Sequence, residues 1–291
     1  MFVATLIANP GAPALSPELA HSAMRALGAT ALYWLADGIA CDIPVDAPDG
    51  AMSALAHALQ GREVDFAIQR QDGRRKKLLI ADMDSTMIQQ ECIDELAGMA
   101  GLKDKVAAIT AQAMNGEIAF EPALRERVAL LKGMPAEVVQ RVISEKITLM
   151  PGGRELVATM KKHGAYTALV SGGFTAFTGP IAATLGFDEN RANTLLSKAG
   201  KFTGTVAEPI LGKEAKLQAL NEICARLGVA PHDAIAVGDG ANDLLMLKAA
   251  GTGVALHAKP AVAAEAKIRL DFSDLTGLLY LQGYRRADFS G

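Results

Sequence analysis

Apolar runs of four or five residues punctuate the chain, and helix-period segments fill the intervals between them. Leu78-Leu79-Ile80-Ala81 predicts a strand buried on both faces, the kind found inside a parallel sheet. It stops at Asp82-Met83-Asp84-Ser85-Thr86, which sets two carboxylates at the mouth of a buried strand. Residues 166–170 form a second run, ending at Ser171-Gly172-Gly173, and residues 234–237 a third, running into Gly238-Asp239-Gly240-Ala241-Asn242-Asp243. Residues 253–256 read as the last strand. Helices are expected over 155–162, started by Pro151-Gly152-Gly153, and from Lys213 to Leu227, closed by Gly228. Such alternation predicts an α/β fold with a doubly wound parallel sheet.

Two segments depart from that rhythm. Residues 1 to about 70 alternate faster, as β-α-β-α-β. A strand over 2–8 precedes a helix over 19–27, launched by Ser16-Pro17-Glu18 with its hydroxyl cap and early proline. Strand material at 31–34 and 39–45 flanks the hairpin signal Asp37-Gly38, and a helix over 52–59 and a strand over 64–68 follow. The order suits a small N-terminal α+β domain of ferredoxin-like type over residues 1–72, with residues 73–291 as the core. The polar run 69–77 reads as a linker whose basic cluster is a solvated face. Between about 88 and 150 the pattern is mostly helical, broken at Gly98, Gly101 and Asn115-Gly116, which predicts a helical insertion on the first strand's exit.

Composition narrows the function. The chain has 291 residues, half of them hydrophobic, and a formal net charge of −3, so a core is ensured and no basic footprint suggests nucleic acid. Cys41, Cys92 and Cys224 are scattered, without a C-x-x-C pair, which suggests a reducing compartment and no structural zinc. The first Lys or Arg is Arg25, so the start lacks the charged region of a signal peptide. The charge-free run 164–187 is broken by Ser171-Gly172-Gly173 and Gly179-Pro180, unlike a bilayer span. A cytoplasmic protein with no membrane partner is expected.

The chemistry sits at the strand ends. Parallel strands align their carboxyl ends, so Asp82 and Asp84, Ser171-Gly172, and Asp239, Asn242 and Asp243 should converge on one edge. Acidic oxygens from separate strands suit Mg²⁺, and Lys216 near a helix start could reach the same edge as a point charge for phosphate. Each piece has a plainer reading. Asp-x-Asp-Ser-Thr also reads as a hydroxyl-capped turn, Ser171 as a helix cap without a nucleophile elbow, and Lys216 as a solvated helix lysine. Gly238-x-Gly240 lacks the third glycine of a dinucleotide fingerprint. His21 and His57 fall within helical patterns and carry no chemistry. The plain readings must all hold together, in this order, to defeat the set.

Taken as a set, the four motifs resemble those of the haloacid dehalogenase-like phosphatases, and within them the phosphoserine phosphatase family. The stretch Val106-x-x-Ile109-Thr110-x-x-Ala113-Met114-x-Gly116, then Phe120-Glu121 and Leu124-Arg125-Glu126-Arg127-Val128, is similar to that family's cap, and the resemblance covers about residues 76–285. Ala123 stands where the family commonly has Ser, which costs at most a local hydrogen bond. The resemblance implies Mg²⁺-dependent hydrolysis of O-phospho-L-serine, the last step of serine biosynthesis. Asp82 would be the nucleophile forming an aspartyl phosphate, and Asp84 the general acid and base. Mg²⁺ would be held by Asp82, the carbonyl of Asp84, and Asp239. Ser171, Gly172, Lys216 and Asn242 would hold the phosphate, with Asp243 in support. Glu91 would pair with the substrate ammonium and Arg127 with its carboxylate. Transfer to an acceptor other than water, such as homoserine, is an alternative within the class. A regulatory protein with a decayed core is the alternative outside it, and would be expected to lack one of Asp82, Asp84, Lys216 or Asp239; all four are present. The N-terminal domain resembles amino-acid-binding regulatory domains in topology alone. A homodimer and an amino-acid effector at that domain are the partners it leaves open, and its removal is expected to leave catalysis largely intact.

Overall fold

The computed structural model describes residues 1–291, the side chain of Met114 excepted. The first 70 residues fold as β1 (Phe2–Ala8), α1 (Pro17–Ala26), β2 (Tyr33–Ala36), β3 (Ala40–Val45), α2 (Ala51–Ala58) and β4 (Val64–Arg70). Ser16 caps α1, its hydroxyl accepting from the Leu19 amide at 3.2 Å. The antiparallel sheet runs β2-β3-β1-β4, the ferredoxin-like order.

The main body runs β5 (Leu78–Ala81), α3 (Cys92–Gly98), α4 (Lys103–Met114), α5 (Phe120–Ala129), α6 (Val138–Glu145), α7 (Gly153–Lys162), β6 (Tyr166–Phe174) and α8 (Thr175–Leu185). It continues with β7 (Glu189–Asn193), β8 (Leu195–Lys198), β9 (Lys201–Val206), α9 (Lys213–Leu227), β10 (Ala234–Gly238), α10 (Leu244–Ala249), β11 (Thr252–Leu256), α11 (Pro260–Glu265), β12 (Ile268–Leu270) and α12 (Gly277–Leu281). Six parallel strands order as β12-β11-β10-β5-β6-β7, which places the reversal of strand order between β5 and β10. Within β5, Leu79 and Ala81 join the apolar cluster with α7, α8 and α12, while Leu78 and Ile80 join the one with α9 and α10. Both faces are covered, as four consecutive apolar residues require. No helix among the described residues is long and apolar enough to cross a membrane.

Helices α3 to α6 form a cap over the carboxyl edge of the sheet. The chain leaves and returns on adjacent paths, where Gln89 N donates to Thr148 O at 2.9 Å and Met150 N to Met87 O at 2.9 Å. The hairpin β8–β9 braces the cap from the core side, with mutual backbone bonds between Phe202 and the 133–134 turn at 2.9 Å.

Several local expectations need correction. Strand β6 does not stop at Val170 but runs on through Ser171-Gly172-Gly173 to Phe174, with a register irregularity over that stretch. Strand β11 is not the last, since β12 adds beyond it. The basic run 69–77 is not simply solvated. Arg74 is mostly buried and donates to Asp42, and Arg75 lies over the Tyr284 ring at 4.4 Å.

That correction has a cause on the N-terminal sheet. Ala4, Leu6, Cys41 and Ile43 face α1 and α2, as alternation demands. The opposite face carries Thr5, Ile7, Ala40, Asp42, Asp65, Ala67 and Gln69, and it lies against the segment 271–284 rather than water. Asp65 accepts from the amides of Asp271 at 2.7 Å and Ser273 at 2.8 Å, while Ile7, Ala40 and Ala67 join the cluster of Leu278 and Leu279. Deleting residues 1–72 should therefore lower the melting temperature of the remaining fragment by roughly 10 °C or more, by baring α12. Thermal unfolding alongside activity per folded molecule checks this. An unchanged melting temperature would mean the shared face contributes nothing.

Candidate active site

The reversal of strand order puts Asp82, leaving β5, beside Asp239, leaving β10. Asp82 is 2% exposed; its Oδ1 accepts from the Met83 amide at 2.7 Å and lies 2.8 Å from Lys216 Nζ. Lys216, equally buried, reaches in from the first turn of α9 and also donates to Asp243 Oδ1 at 2.6 Å. The other oxygen of Asp243 accepts from the Asp239 amide at 3.2 Å and the Gly240 amide at 3.0 Å. This fit explains Gly238: a Cβ there would lie 2.4 Å from Asp243 Cγ.

Asp82, Asp239 and Asp243 each bring one oxygen within 4.8 Å of the others, with only Lys216 buried among them as a counter-charge. Burial, then the neighbouring Asp243, pushes the Asp82 carboxyl up to about 7 despite Lys216. Asp239 is pushed well up by burial, then by Glu91 and Asp243. For Lys216, burial alone would lower the ammonium, but Asp243 and Asp82 outweigh it and the net shift is upward. Such repulsion is what a cation relieves.

The donor set fits a hard divalent ion. Asp239 Oδ2 is buried without a hydrogen-bond partner among the described residues, although Lys259 Nζ stands 3.6 Å away. Asp243 has both oxygens engaged, so the oxygens left to hold an ion are those of Asp239 and Asp82. The carboxylate of Asp84 is outside this cluster; its expected part was through the main-chain carbonyl. Thr86, not singled out in the sequence, donates to Asp239 Oδ1 at 3.2 Å.

Asp84 lies on the other side of Asp82. Its Oδ1 accepts from the Cys92 amide at 3.2 Å, and burial, then Glu91 and Asp82, hold its carboxyl well above the ordinary range. Ser85 adopts φ 55° between them, and its hydroxyl donates to Glu91 Oε1 at 2.6 Å. From β6, Ser171 is buried and its Oγ accepts from the Gly173 amide at 2.9 Å. Gly172 has Phe120 of the cap so close that a Cβ would lie 2.8 Å from its ring. The Gly172 carbonyl accepts from Asn193 Nδ2 at 2.8 Å, and Asn193 Oδ1 accepts from the Leu211 amide at 2.7 Å, which ties the β6 end to the approach to α9. Asn242 presents a buried Oδ1 with no partner among the described residues.

The cap supplies Glu91, at the start of α3, and Arg127, 5% exposed on α5. Arg127 Nε donates to the Ala123 carbonyl at 3.1 Å and its NH1 to Thr110 Oγ1 at 3.0 Å. Position 123 thus serves Arg127 through its backbone oxygen, which any residue provides. One cavity is lined by Asp82, Asp84, Glu91, Arg127, Ser171, Gly172 and Asn242, and a wider outer recess meets it at Phe120 and Asn242. Lys216, Asp239 and Asp243 stand behind Asp82. Every expected site residue is thus gathered at one strand edge under the cap. Thr86, Thr110, Asn193 and Lys259 are the additions.

With this geometry, similarity to known proteins can be stated. The family model for haloacid dehalogenase-like hydrolases matches residues 79–248. A phosphoserine phosphatase of Haemophilus influenzae is 46% identical over 204 residues, which is 70% of this chain and 65% of that relative. The chain thus spans just under two thirds of that relative's length. A solved phospho-aspartyl intermediate analogue of phosphoserine phosphatase superposes with a TM-score of 0.68 at 42% identity, covering 71% of this chain and 98% of the other. A probable phosphoserine phosphatase from Vibrio cholerae, in unliganded form, gives a TM-score of 0.77 at 34% identity, covering 99% of this chain and 87% of the other.

Proposed function

The chain belongs to the haloacid dehalogenase-like hydrolases, and on that premise we propose that it hydrolyses O-phospho-L-serine to L-serine and phosphate. The observation that carries the proposal is one cavity holding both a reactive end, Asp82 and Asp84, and a reading end, Glu91 and Arg127. The phosphoserine phosphatase similarities support the same assignment.

The Asp82 carboxylate attacks phosphorus and the bond to the serine oxygen breaks, leaving an aspartyl phosphate. Asp84, whose carboxyl is pushed above its ordinary range by burial, Glu91 and Asp82, gives its proton to the departing oxygen. In the second half it takes a proton from water as that water attacks phosphorus, and the bond to the Asp82 oxygen breaks, releasing phosphate and the free Asp82 carboxylate. The Ser171 hydroxyl, the Gly172 amide, Asn242 and Lys216 hold the phosphoryl oxygens, and Asp243 keeps Lys216 aimed. Mg²⁺, held by Asp82, Asp239 and the main chain of Asp84, would supply charge neutralisation for those oxygens. Glu91 receives the substrate ammonium and Arg127 its carboxylate. Hydrolysis completes serine biosynthesis, a reaction of the cytoplasm, in keeping with three free and buried cysteines. Residues 1–72 are assigned to a small domain that buttresses the 73–291 body.

A panel of phosphoserine, phosphothreonine, phosphoethanolamine and a sugar phosphate tests the assignment, with Mg²⁺ and after chelation. Phosphoserine should turn over best, phosphoethanolamine should suffer for its missing carboxylate, and chelation should abolish activity until Mg²⁺ is restored. Phosphate release without any added acceptor separates hydrolysis from transfer. A clear preference for the sugar phosphate would defeat the reading.

A further inference from the structure

Arg127 is held by an arrangement that its own role does not explain. A guanidinium has five N–H donors in a rigid fork. Nε is committed to the Ala123 carbonyl at 3.1 Å and NH1 to the Thr110 hydroxyl at 3.0 Å. No hydrogen bond from NH2 to a described residue is formed, and the side chain lines the cavity. Two of the five donors are therefore anchored, and those on NH2 are left for a ligand.

The anchor itself is anchored. Thr110 has a single hydroxyl proton and two acceptors in reach, Asp94 Oδ1 at 2.6 Å and the Val106 carbonyl at 3.0 Å. The shorter contact to an ionisable carboxylate takes the proton, so a lone pair is fixed toward Arg127. A hydroxyl that donates to a charge becomes a better acceptor, which strengthens the bond to NH1. Both residues are buried, Asp94 9% and Thr110 3% exposed. They come from α3 and α4 while Arg127 comes from α5, so the relay fastens three cap helices at one point. No ion pair joins Asp94 to Arg127 directly among the described residues. The interposed hydroxyl keeps a carboxylate of the protein from occupying the fork that the substrate needs.

We propose that Asp94 and Thr110 are positioning residues that aim Arg127 at the carboxylate of the substrate, and so set the preference for a phosphate ester bearing one. The inference rests on the assignment of Arg127 to that carboxylate. The plain alternative is a buried hydrogen-bond network that only stiffens the cap.

The test compares Thr110→Val, Thr110→Ser and Asp94→Asn with the unsubstituted protein, loaded with Mg²⁺, on phosphoserine and on phosphoethanolamine. Thr110→Val should raise KM for phosphoserine about tenfold, with a several-fold smaller effect on kcat and on either constant for phosphoethanolamine. Thr110→Ser, which keeps the hydroxyl, should restore most of the loss, and Asp94→Asn should fall between. In an Arg127→Ala background, Thr110→Val should cost nothing further on phosphoserine, a comparison that stands even if each variant is less stable. Equal losses on the two substrates, or an undiminished second loss in the Arg127→Ala background, would overturn the proposal in favour of cap stiffening. Unchanged selectivity in Thr110→Val overturns it alone. An unsubstituted protein that does not prefer phosphoserine over phosphoethanolamine takes down the substrate assignment and this inference together.

Discussion

Replacing Asp82 with Asn is expected to lower kcat by on the order of 10⁴- to 10⁶-fold on every phosphate ester, because the step it removes is bond formation to phosphorus. The substitution is nearly isosteric and the site should tolerate it. Lys216 keeps Asp243 at 2.6 Å, so no buried ammonium is left unpaired. The Met83 amide keeps an acceptor, since the Asn oxygen can replace Oδ1. Burial and Asp243 push the native carboxyl up to about 7, so the ion-free protein loses stability from this group as pH rises from the unfolded value near 3.8 through 7. An amide does not titrate. Asp82→Asn should therefore unfold at the same or a higher temperature than the unsubstituted protein near pH 8 without metal. Steady-state kinetics and thermal unfolding check the two halves together. Activity within tenfold of the unsubstituted protein would remove Asp82 from the nucleophile's place.

Arg127→Ala carries the next largest effect, and a selective one. Removing the fork leaves the substrate's carboxylate desolvated and unpaired, at a cost of about 2–5 kcal/mol, or roughly thirty- to several-thousand-fold in kcat/KM for phosphoserine. p-Nitrophenyl phosphate has no carboxylate to lose and should retain most of its rate. Some general loss is expected as well, because Thr110 and the Ala123 carbonyl each give up a buried donor. Arg127→Lys restores charge without the planar fork and should recover only part of the difference. If both substrates suffer equally, Arg127 serves the closure of the cap rather than recognition.

How far these sites are legible in the sequence depends on how local their signals are. Asp82, Ser171 and Asp239 announce themselves because each follows an apolar strand, and parallel alignment then brings them together without further information. Glu91 and Arg127 carry no such mark and enter only through the resemblance to a family. Asn193 goes unremarked beforehand and Thr110 enters only as a letter of the cap motif, because their partners lie on other elements; Asn193 gains meaning only when Gly172 and Leu211 converge on it. Strand β7 reads Glu-Asn-Arg-Ala-Asn, an edge strand without apolar alternation. The β8–β9 turn places Ala199 at φ 50° and Gly200 at φ 75°, and Ala-Gly hides a turn that Asn-Gly would have announced. On the N-terminal sheet, Thr5, Asp42, Asp65 and Gln69 alternate as a wet face should. They are covered instead, because segment 271–282 offers amides to Asp65 and a carbonyl to Gln69, while Asp42 is met by Thr5 and Arg74.

That covered face also sets a clock on biosynthesis. Strand β4 is finished at Arg70, but the helix that shields its inner side begins at Gly277, about two hundred residues later. At ribosomal rates the gap amounts to ~10–40 s, during which α1 and α2 can settle on one side of the nascent sheet while the other has nothing to meet. Ile7, Ala40 and Ala67 are small or few, and Thr5, Asp42, Asp65 and Gln69 are polar. The waiting surface is thus kept wettable until that later segment arrives to close it.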